Sequence, residues 1–90
     1  MMFRVEWVQI ALDELTNLWT QADSAQRQAI TSASYALENR LRRDPSNEGE
    51  SRSRGRRITF VTPLVVRFQI EADGQTVTVL QVRLFGRRKK

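Results

Sequence analysis

A chain of 90 residues is long enough for one domain with one modest core, and we expect a single domain over residues 1–90. It contains no cysteine and no histidine, which excludes disulfides, thiolate metal ligands and the usual imidazole general base. No apolar run reaches the length of a membrane span or of a signal peptide. We therefore expect a cytoplasmic protein without membrane contact, metal or other cofactor.

The net charge of +5 is unevenly distributed along the chain. Residues 1–45 contain five arginines against six acidic residues, whereas residues 46–90 contain eight arginines and two lysines against four acidic residues. The planar guanidinium of arginine forms paired hydrogen bonds to phosphate or carboxylate groups. The second half is therefore expected to bind an anion, either a nucleic-acid backbone or an acidic partner protein.

The first half of the chain predicts one strand and two helices. Residues 3–7 alternate apolar and polar side chains, which is typical of a short strand. Apolar residues at helical spacing predict a first helix over Gln9–Thr20. Asp23 is placed to cap a second helix, which Asp44-Pro45 ends.

The second half predicts an exposed, mobile loop over residues 46–55, three strands, and a basic tail over residues 86–90. Asp73-Gly74 is a signal for a two-residue hairpin turn between the last two strands. The predicted strands are Arg56–Val61, Leu64–Glu71 and Thr76–Phe85. The element order is then β-α-α-β-β-β, an α+β fold with a helical hairpin on one face of a mostly antiparallel sheet.

Alternation along these strands assigns side chains to two faces of the sheet. The face covered by the helices is predicted to carry Ile58, Phe60, Leu64, Val66, Phe68, Ile70, Leu80, Val82 and Leu84. The open face is predicted to carry Arg57, Thr59, Val61, Val65, Arg67, Gln69, Glu71, Val77, Val79, Gln81 and Arg83. The open face is too polar to form a second core and too apolar for a surface without a binding partner.

Further arginines lie in the predicted loop, at the start of the first of these strands and in the tail. They are Arg52, Arg54, Arg56, Arg87 and Arg88. Such a cluster beside a sheet predicts contact with nucleic-acid phosphates, and the alternative is a charge run that is merely solvated.

Several segments, in this order and spacing, resemble the RelE/ParE superfamily of bacterial type II toxins, which includes plasmid stabilisation proteins. The segments are Phe3–Trp7, Ala11–Leu15, Leu41–Pro45, Gly49-Glu50, Arg57-Ile58, Pro63–Ile70 and Val77–Val82. The resemblance covers nearly the whole chain and implies a toxin that a co-expressed antitoxin holds inactive.

The resemblance leaves three functions open. A RelE-like toxin is an endoribonuclease that binds RNA on the ribosome and cuts messenger RNA there. A ParE-like toxin inhibits DNA gyrase without catalysing a reaction. A third possibility is an inactive member that only binds its antitoxin, so the resemblance by itself does not decide whether the chain is an enzyme.

The RelE-like branch implies Arg57, Arg67 and Arg83 as the catalytic cations. Arg57 stands at the family's second-strand position, whereas the third-strand position falls nearer Val65, two residues before Arg67. Arg83 and Arg87 bracket the position on the last strand. The C-terminal tyrosine that this branch often uses is missing.

Arginine cannot be the general base in RNA cleavage, because its guanidinium stays protonated. The residue candidates for the base are Glu71, Glu6 and Glu50. A group supplied by the ribosome is the alternative, and a solvated carboxylate without catalytic role is the competing interpretation of each glutamate.

Overall fold

The computed structural model describes residues 2–85 as two helices and a five-stranded sheet. The elements are β1 (Arg4–Trp7), α1 (Gln9–Gln21), α2 (Ser24–Arg43), β2 (Glu50–Ser51), β3 (Arg56–Val61), β4 (Leu64–Ile70) and β5 (Thr76–Leu84). The predicted α+β class and the helical hairpin on a mostly antiparallel sheet are confirmed. The predicted basic tail lies outside the described residues.

The strand order in the sheet is β1-β5-β4-β3-β2. Only β1 and β5 are parallel, and Val5 pairs with Val77 in that ladder. A parallel pair needs a long crossover connection, because the chain must return to the same end of the sheet before the second strand begins. The α1–α2 hairpin begins that crossover and packs on one face of the sheet.

The helices bury their apolar stripes against this covered face. Asp23 caps α2 as predicted, because its Oδ1 accepts a hydrogen bond of 2.8 Å from the backbone N–H of Gln26. The buried apolar residues are Ala11, Ala22, Ile30, Ala33, Leu37, Leu41, Val61, Leu64, Val66, Phe68, Val77, Val79 and Val82. Within residues 2–85, neither helix combines the length and the apolarity needed to cross a membrane.

The face assignment predicted for β3 is wrong. Val61 and Thr59 lie on the covered face, with exposures of 6% and 3%, whereas Phe60 is 48% exposed on the open face and Ile58 shares its side. The cause is the two-residue turn between β3 and β4, which pairs Val61 directly with Leu64. Paired residues share a face, so the buried leucine fixes the orientation of the whole strand.

The face assignment predicted for β5 is wrong in its first half. Val77 and Val79 are fully buried. The register shifts opposite the Arg67–Phe68 step of β4, where β5 carries Leu80 as one extra residue. Such a β-bulge exchanges the two faces of a strand. Alternation counted from Val82 therefore assigns the residues before Leu80 to the wrong face.

The predicted loop over residues 46–55 contains more structure than expected. Two short 3₁₀ turns, Pro45–Asn47 and Ser53–Gly55, flank β2. Gly49 has φ +69°, and a Cβ atom there would lie 2.1 Å from the carbonyl oxygen of Ile58. Only glycine allows this close approach of the segment to β3.

The turn between β4 and β5 is longer than the predicted two-residue turn, although the Asp73-Gly74 signal locates it correctly. Asp73 Oδ1 accepts hydrogen bonds from the backbone N–H groups of Gln75 (2.8 Å) and Thr76 (3.0 Å). The bond from Gln75 is the main cause that lowers the pKa of Asp73, and the bonds from Thr76 add to it. The ionised carboxylate therefore holds the turn together.

Candidate anion-binding site

Four arginine side chains converge on one open cavity of about 710 Å³. Its lining residues are Arg52, Ser53, Arg56, Arg57, Arg67, Leu80 and Gln81. No acidic residue contributes to this lining, so the cavity presents positive charge that its own walls do not neutralise. We call it the arginine cavity.

Arg67 lies in the middle of β4, as predicted, on the open face. Strand pairing places it between Ile58 of β3 and Gln81 of β5. Its side chain is exposed, and none of the hydrogen bonds or ion pairs formed among residues 2–85 uses its guanidinium. A cation held on a central strand without an internal partner is available to an external anion.

Arg57 lines the same cavity but does not share the face of Arg67, which corrects the predicted placement. It pairs with Phe68 and so belongs to the covered row of β3. Its Nε and Nη2 donate hydrogen bonds of 2.9 and 3.2 Å to the backbone carbonyls of Glu48 and Gly49. The guanidinium thus braces the segment before β2 while it forms part of the cavity wall.

Arg83 lies in an open-face row, as predicted, but it is not part of the arginine cavity. Its Nη1 forms an ion pair with Glu14 Oε2 of α1. β1 covers the β5 edge only as far as Val79, so the edge beyond Val79 is accessible to Glu14. The other oxygen of Glu14 accepts the backbone N–H of Val82 at 2.8 Å and replaces the missing strand partner.

The remaining predicted phosphate contacts divide into three groups. Arg52 and Arg56 line the cavity, and Arg52 also forms an ion pair of 3.3 Å with Glu50. Arg54 is exposed beside the cavity in the left-handed conformation, with φ 63°. Arg87 and Arg88 lie outside the described residues.

The three candidate bases are engaged in different ways. Glu6 forms an exposed ion pair of 3.7 Å with Arg4 on the same strand, and Glu50 is held by Arg52. Glu71 accepts hydrogen bonds from Thr78 and Gln69. None of the three lines the arginine cavity.

Glu71 is nevertheless connected to the cavity through one side chain. Arg56 Nε donates a hydrogen bond of 3.3 Å to Gln69 Oε1, and Gln69 Nε2 donates one of 3.2 Å to Glu71 Oε1. Gln69 therefore separates the carboxylate from the guanidinium. Within residues 2–85, no group of carboxylates is arranged to hold a metal ion.

Gln81 lies on the open face as predicted, whereas Ile58, Phe60 and Leu80 are three members of that face that sequence reasoning missed. Leu80 and Gln81 enter the cavity lining because the bulge places them beside Arg67. Alternation alone predicts Phe60 in the core. The two-residue turn Thr62-Pro63, which is visible in the sequence, instead pairs Val61 with Leu64 and places Phe60 on the open face. The consecutive apolar pair Val79-Leu80 is likewise a break in alternation that signals a bulge.

The arrangement suits the binding of a polyanion by charge and by hydrogen bonds. Guanidinium groups on two neighbouring strands and on the segment before them can contact several oxygens of a phosphate chain. The lining offers no group that accepts a proton at neutral pH. The cavity can therefore hold and stabilise a phosphate, whereas a proton acceptor must come from elsewhere.

No family model matches the chain, and no curated protein matches it in sequence. Solved structures do match it over nearly their whole length. The chromosomal ParDE toxin–antitoxin system from P. aeruginosa aligns with a TM-score of 0.73 at 14% identity, over 93% of this chain and 97% of that one. The toxin–antitoxin complex RelBE2 from Mycobacterium tuberculosis aligns with a TM-score of 0.76 at 16% identity, over 97% and 95%.

The isolated RelE toxin from E. coli aligns less closely, with a TM-score of 0.56 at 15% identity, over 97% of this chain and 88% of that one. The TM-scores establish a shared architecture, whereas identities of this size do not carry residue roles from one chain to another. The described chain has the fold of the RelE/ParE toxins.

Proposed function

We propose that this protein is the toxin component of a type II toxin–antitoxin system and that its arginine cavity binds messenger RNA phosphates on the ribosome. The observation that carries the proposal is the convergence of four arginines on one cavity whose lining contains no acidic residue. Arg67, which has no partner within residues 2–85, is the cation most available to the RNA. The fold shared with RelE and ParE structures supports the toxin class.

In this proposal the arginines promote cleavage by stabilising charge. Attack of an RNA 2′-hydroxyl on the neighbouring phosphate builds negative charge on the phosphorane oxygens, and fixed guanidinium groups stabilise that charge. The bond from phosphorus to the leaving 5′-oxygen then breaks, and that oxygen takes up a proton from a general acid outside the cavity lining. The proton of the attacking 2′-hydroxyl must pass to a base, and the lining contains none. The ribosome supplies that base in our proposal, with Glu71 behind Gln69 as the alternative within the chain.

The proposed protein partner is an antitoxin with an acidic segment. The matched RelBE2 structure is a toxin–antitoxin complex, and the P. aeruginosa match is a ParDE system. The arginine cavity of this chain is complementary in charge to an acidic segment, because four arginines and no acidic residue line it. An antitoxin bound there would exclude RNA from the same cations.

A ParE-like gyrase inhibitor is the second candidate. The observation that favours it is the absence of a proton acceptor from the cavity lining, since an inhibitor that only binds needs none. The arginine cavity would then contact an acidic surface of the enzyme, and the match to the ParDE system is as extensive as the match to RelBE2.

Induction of the protein without an antitoxin separates these functions. A ribosome-dependent nuclease stops translation and leaves messenger RNA cut within codons. Intact messages together with cleaved or relaxed plasmid DNA would instead support gyrase inhibition. Growth without arrest would identify an inactive member that keeps only antitoxin binding.

Two variants tie the outcome to the cavity. Arg67→Ala removes the central cation and is expected to abolish growth arrest under the leading proposal. Arg43→Ala is the matched control, because Arg43 is an exposed arginine at the end of α2 and does not line the cavity. Full toxicity of Arg67→Ala would show that the arginine cavity is not the working surface.

A further inference from the structure

The open face carries two exposed phenylalanines in contact with each other. Phe60 and Phe85 are 48% and 50% exposed, and their ring centroids lie 4.6 Å apart in an edge-to-face arrangement. Aromatic rings of this size are seldom left in water together, because burying them elsewhere would be favourable. An exposed aromatic pair on a sheet therefore indicates a binding surface.

The pair is held in place by one strand residue and by the residue that directly follows β5. Phe60 is paired with Val65 of β4, and Val65 is paired with Arg83 of β5. Phe85 continues the β5 ladder, because its backbone N–H donates a hydrogen bond of 2.7 Å to the carbonyl of Pro63. Phe60 is thus fixed within β3, and Phe85, the residue after β5, is tied to the β4 side of the sheet by its backbone, which suits a preformed binding site.

The pair lies next to the arginine cavity on the same face. Val65 and Arg67 are two residues apart on β4, a separation of about 6.6 Å along the strand. Ile58 lies beside Arg67 on β3 and connects the two ends with an apolar side chain. The open face is therefore cationic at one end and aromatic at the other.

We propose that Phe60 and Phe85 form a stacking platform for one unpaired base of a single-stranded RNA whose adjacent phosphate lies against Arg67. The inference rests on the proposed function, because it assigns a second contact to the same RNA. A nucleotide places a flat apolar base within a few ångströms of a charged phosphate. Proteins that bind single-stranded nucleic acids use the same pairing of an aromatic surface with a cationic groove.

The test compares two oligomers with the same phosphates. One is a uridylate RNA of twelve nucleotides, and the other is an abasic ribose-phosphate oligomer of the same length. We expect the purified full chain to bind the uridylate RNA about tenfold more tightly, which is the effect of one base–aromatic stack. Fluorescence anisotropy with end-labelled oligomers measures both affinities.

Phe60→Leu keeps an apolar side chain but removes the ring. It is expected to bind both oligomers equally, at the affinity of the wild-type chain for the abasic oligomer. Tyr35→Leu is the matched control, because Tyr35 is an exposed aromatic residue on α2 and lies outside the open face. Phe85→Leu, and quenching of a 2-aminopurine base in RNA bound to the wild-type chain, test the platform independently of how well Phe60→Leu folds.

The remaining outcomes separate this inference from the proposed function. Equal binding of both oligomers by the wild-type chain would overturn the platform and leave phosphate binding intact. Binding of neither oligomer would overturn the proposed function together with the platform. A glutamate-rich peptide that binds the wild-type chain more tightly than the RNA, and loses that affinity in Phe60→Leu, would assign the rings to a protein partner instead.

Discussion

The two faces of the sheet differ in whether all of their polar side chains have hydrogen-bond partners within the chain. On the covered face, the buried Thr59 donates a hydrogen bond of 2.7 Å to Glu48. Within residues 2–85, no buried polar side-chain atom lacks a hydrogen-bond partner. On the open face, Arg56 and Arg83 have partners, but Arg67 has none within residues 2–85, and Phe60 is 48% exposed.

This difference shows which side of the sheet contributes stability and which is available for binding. Buried groups without partners are costly, so the covered face is expected to respond to substitution by unfolding. Exposed cations and aromatic rings contribute little to folding, so the open face is expected to respond by losing affinity. Matched substitutions on the two faces can test that division.

The largest effect is expected from a pair of phenylalanines on opposite faces. Phe68→Ala removes a fully buried ring of β4 and is expected to lower the free energy of unfolding by about 3–5 kcal/mol. Phe60→Ala is expected to cost less than about 1 kcal/mol, because its ring is 48% exposed. Urea denaturation of both variants measures the difference, and similar losses would contradict the division between the faces.

Gly49 and Gly74 have the same backbone conformation but different surroundings. Gly49 and Gly74 have φ values of +69° and +70°, so alanine is strained at both positions by about 1–2 kcal/mol. Only at Gly49 does the new Cβ meet backbone, at 2.1 Å from the carbonyl oxygen of Ile58. We expect Gly49→Ala to lose about 1–3 kcal/mol more than Gly74→Ala.

The same segment carries the carbonyls that hold Arg57. Gly49→Ala is therefore expected to weaken RNA binding as well, whereas Gly74→Ala is not. Thermal unfolding and RNA affinity, measured on the same samples, check the two consequences. Equal melting temperatures for the two variants would show that the approach of this segment to β3 is not required.

A pair of arginines tests the open face itself. Arg67→Ala is expected to reduce the slope of log affinity against log salt concentration for RNA by about 1, since one phosphate contact is lost. Arg83→Ala is expected to leave that slope unchanged, because its guanidinium is already paired with Glu14. Titrations at several salt concentrations measure both slopes, and a larger change in Arg83→Ala would place the phosphate contacts at the β5 edge.

The smallest effect concerns the β4–β5 turn. Because the folded chain lowers the pKa of Asp73 below 3.8, the unfolded state binds the proton more readily. The stabilisation is present above about pH 3.8 and is lost as the pH falls through the lower pKa of the folded state. Asp73→Asn keeps the acceptor oxygen and should remove this part of the acid dependence, which urea denaturation between pH 2 and 6 can detect.

Much of the fold could be predicted because the signals are local. The predicted helix Gln9–Thr20 differs from α1 by one residue, and Asp23 caps α2 where the sequence places it. The predicted faces are wrong in β3 and in the first half of β5, where strand pairing sets the orientation of the side chains and simple alternation does not. The bulge at Leu80 and the extra strand Glu50–Ser51 both depend on partners elsewhere in the sheet, which a local pattern does not encode.

The order of the two helices and of the four longer strands, the single modest core and the concentration of arginines in the second half all follow from the sequence alone. Which of these arginines are available to an external anion depends on the tertiary structure. Arg83 meets Glu14, which lies 69 residues away in the chain, and Arg57 meets carbonyls of the segment before β2, whereas Arg67 meets no partner within residues 2–85. Charge can be counted in a sequence, but its neutralisation depends on contacts that only folding creates.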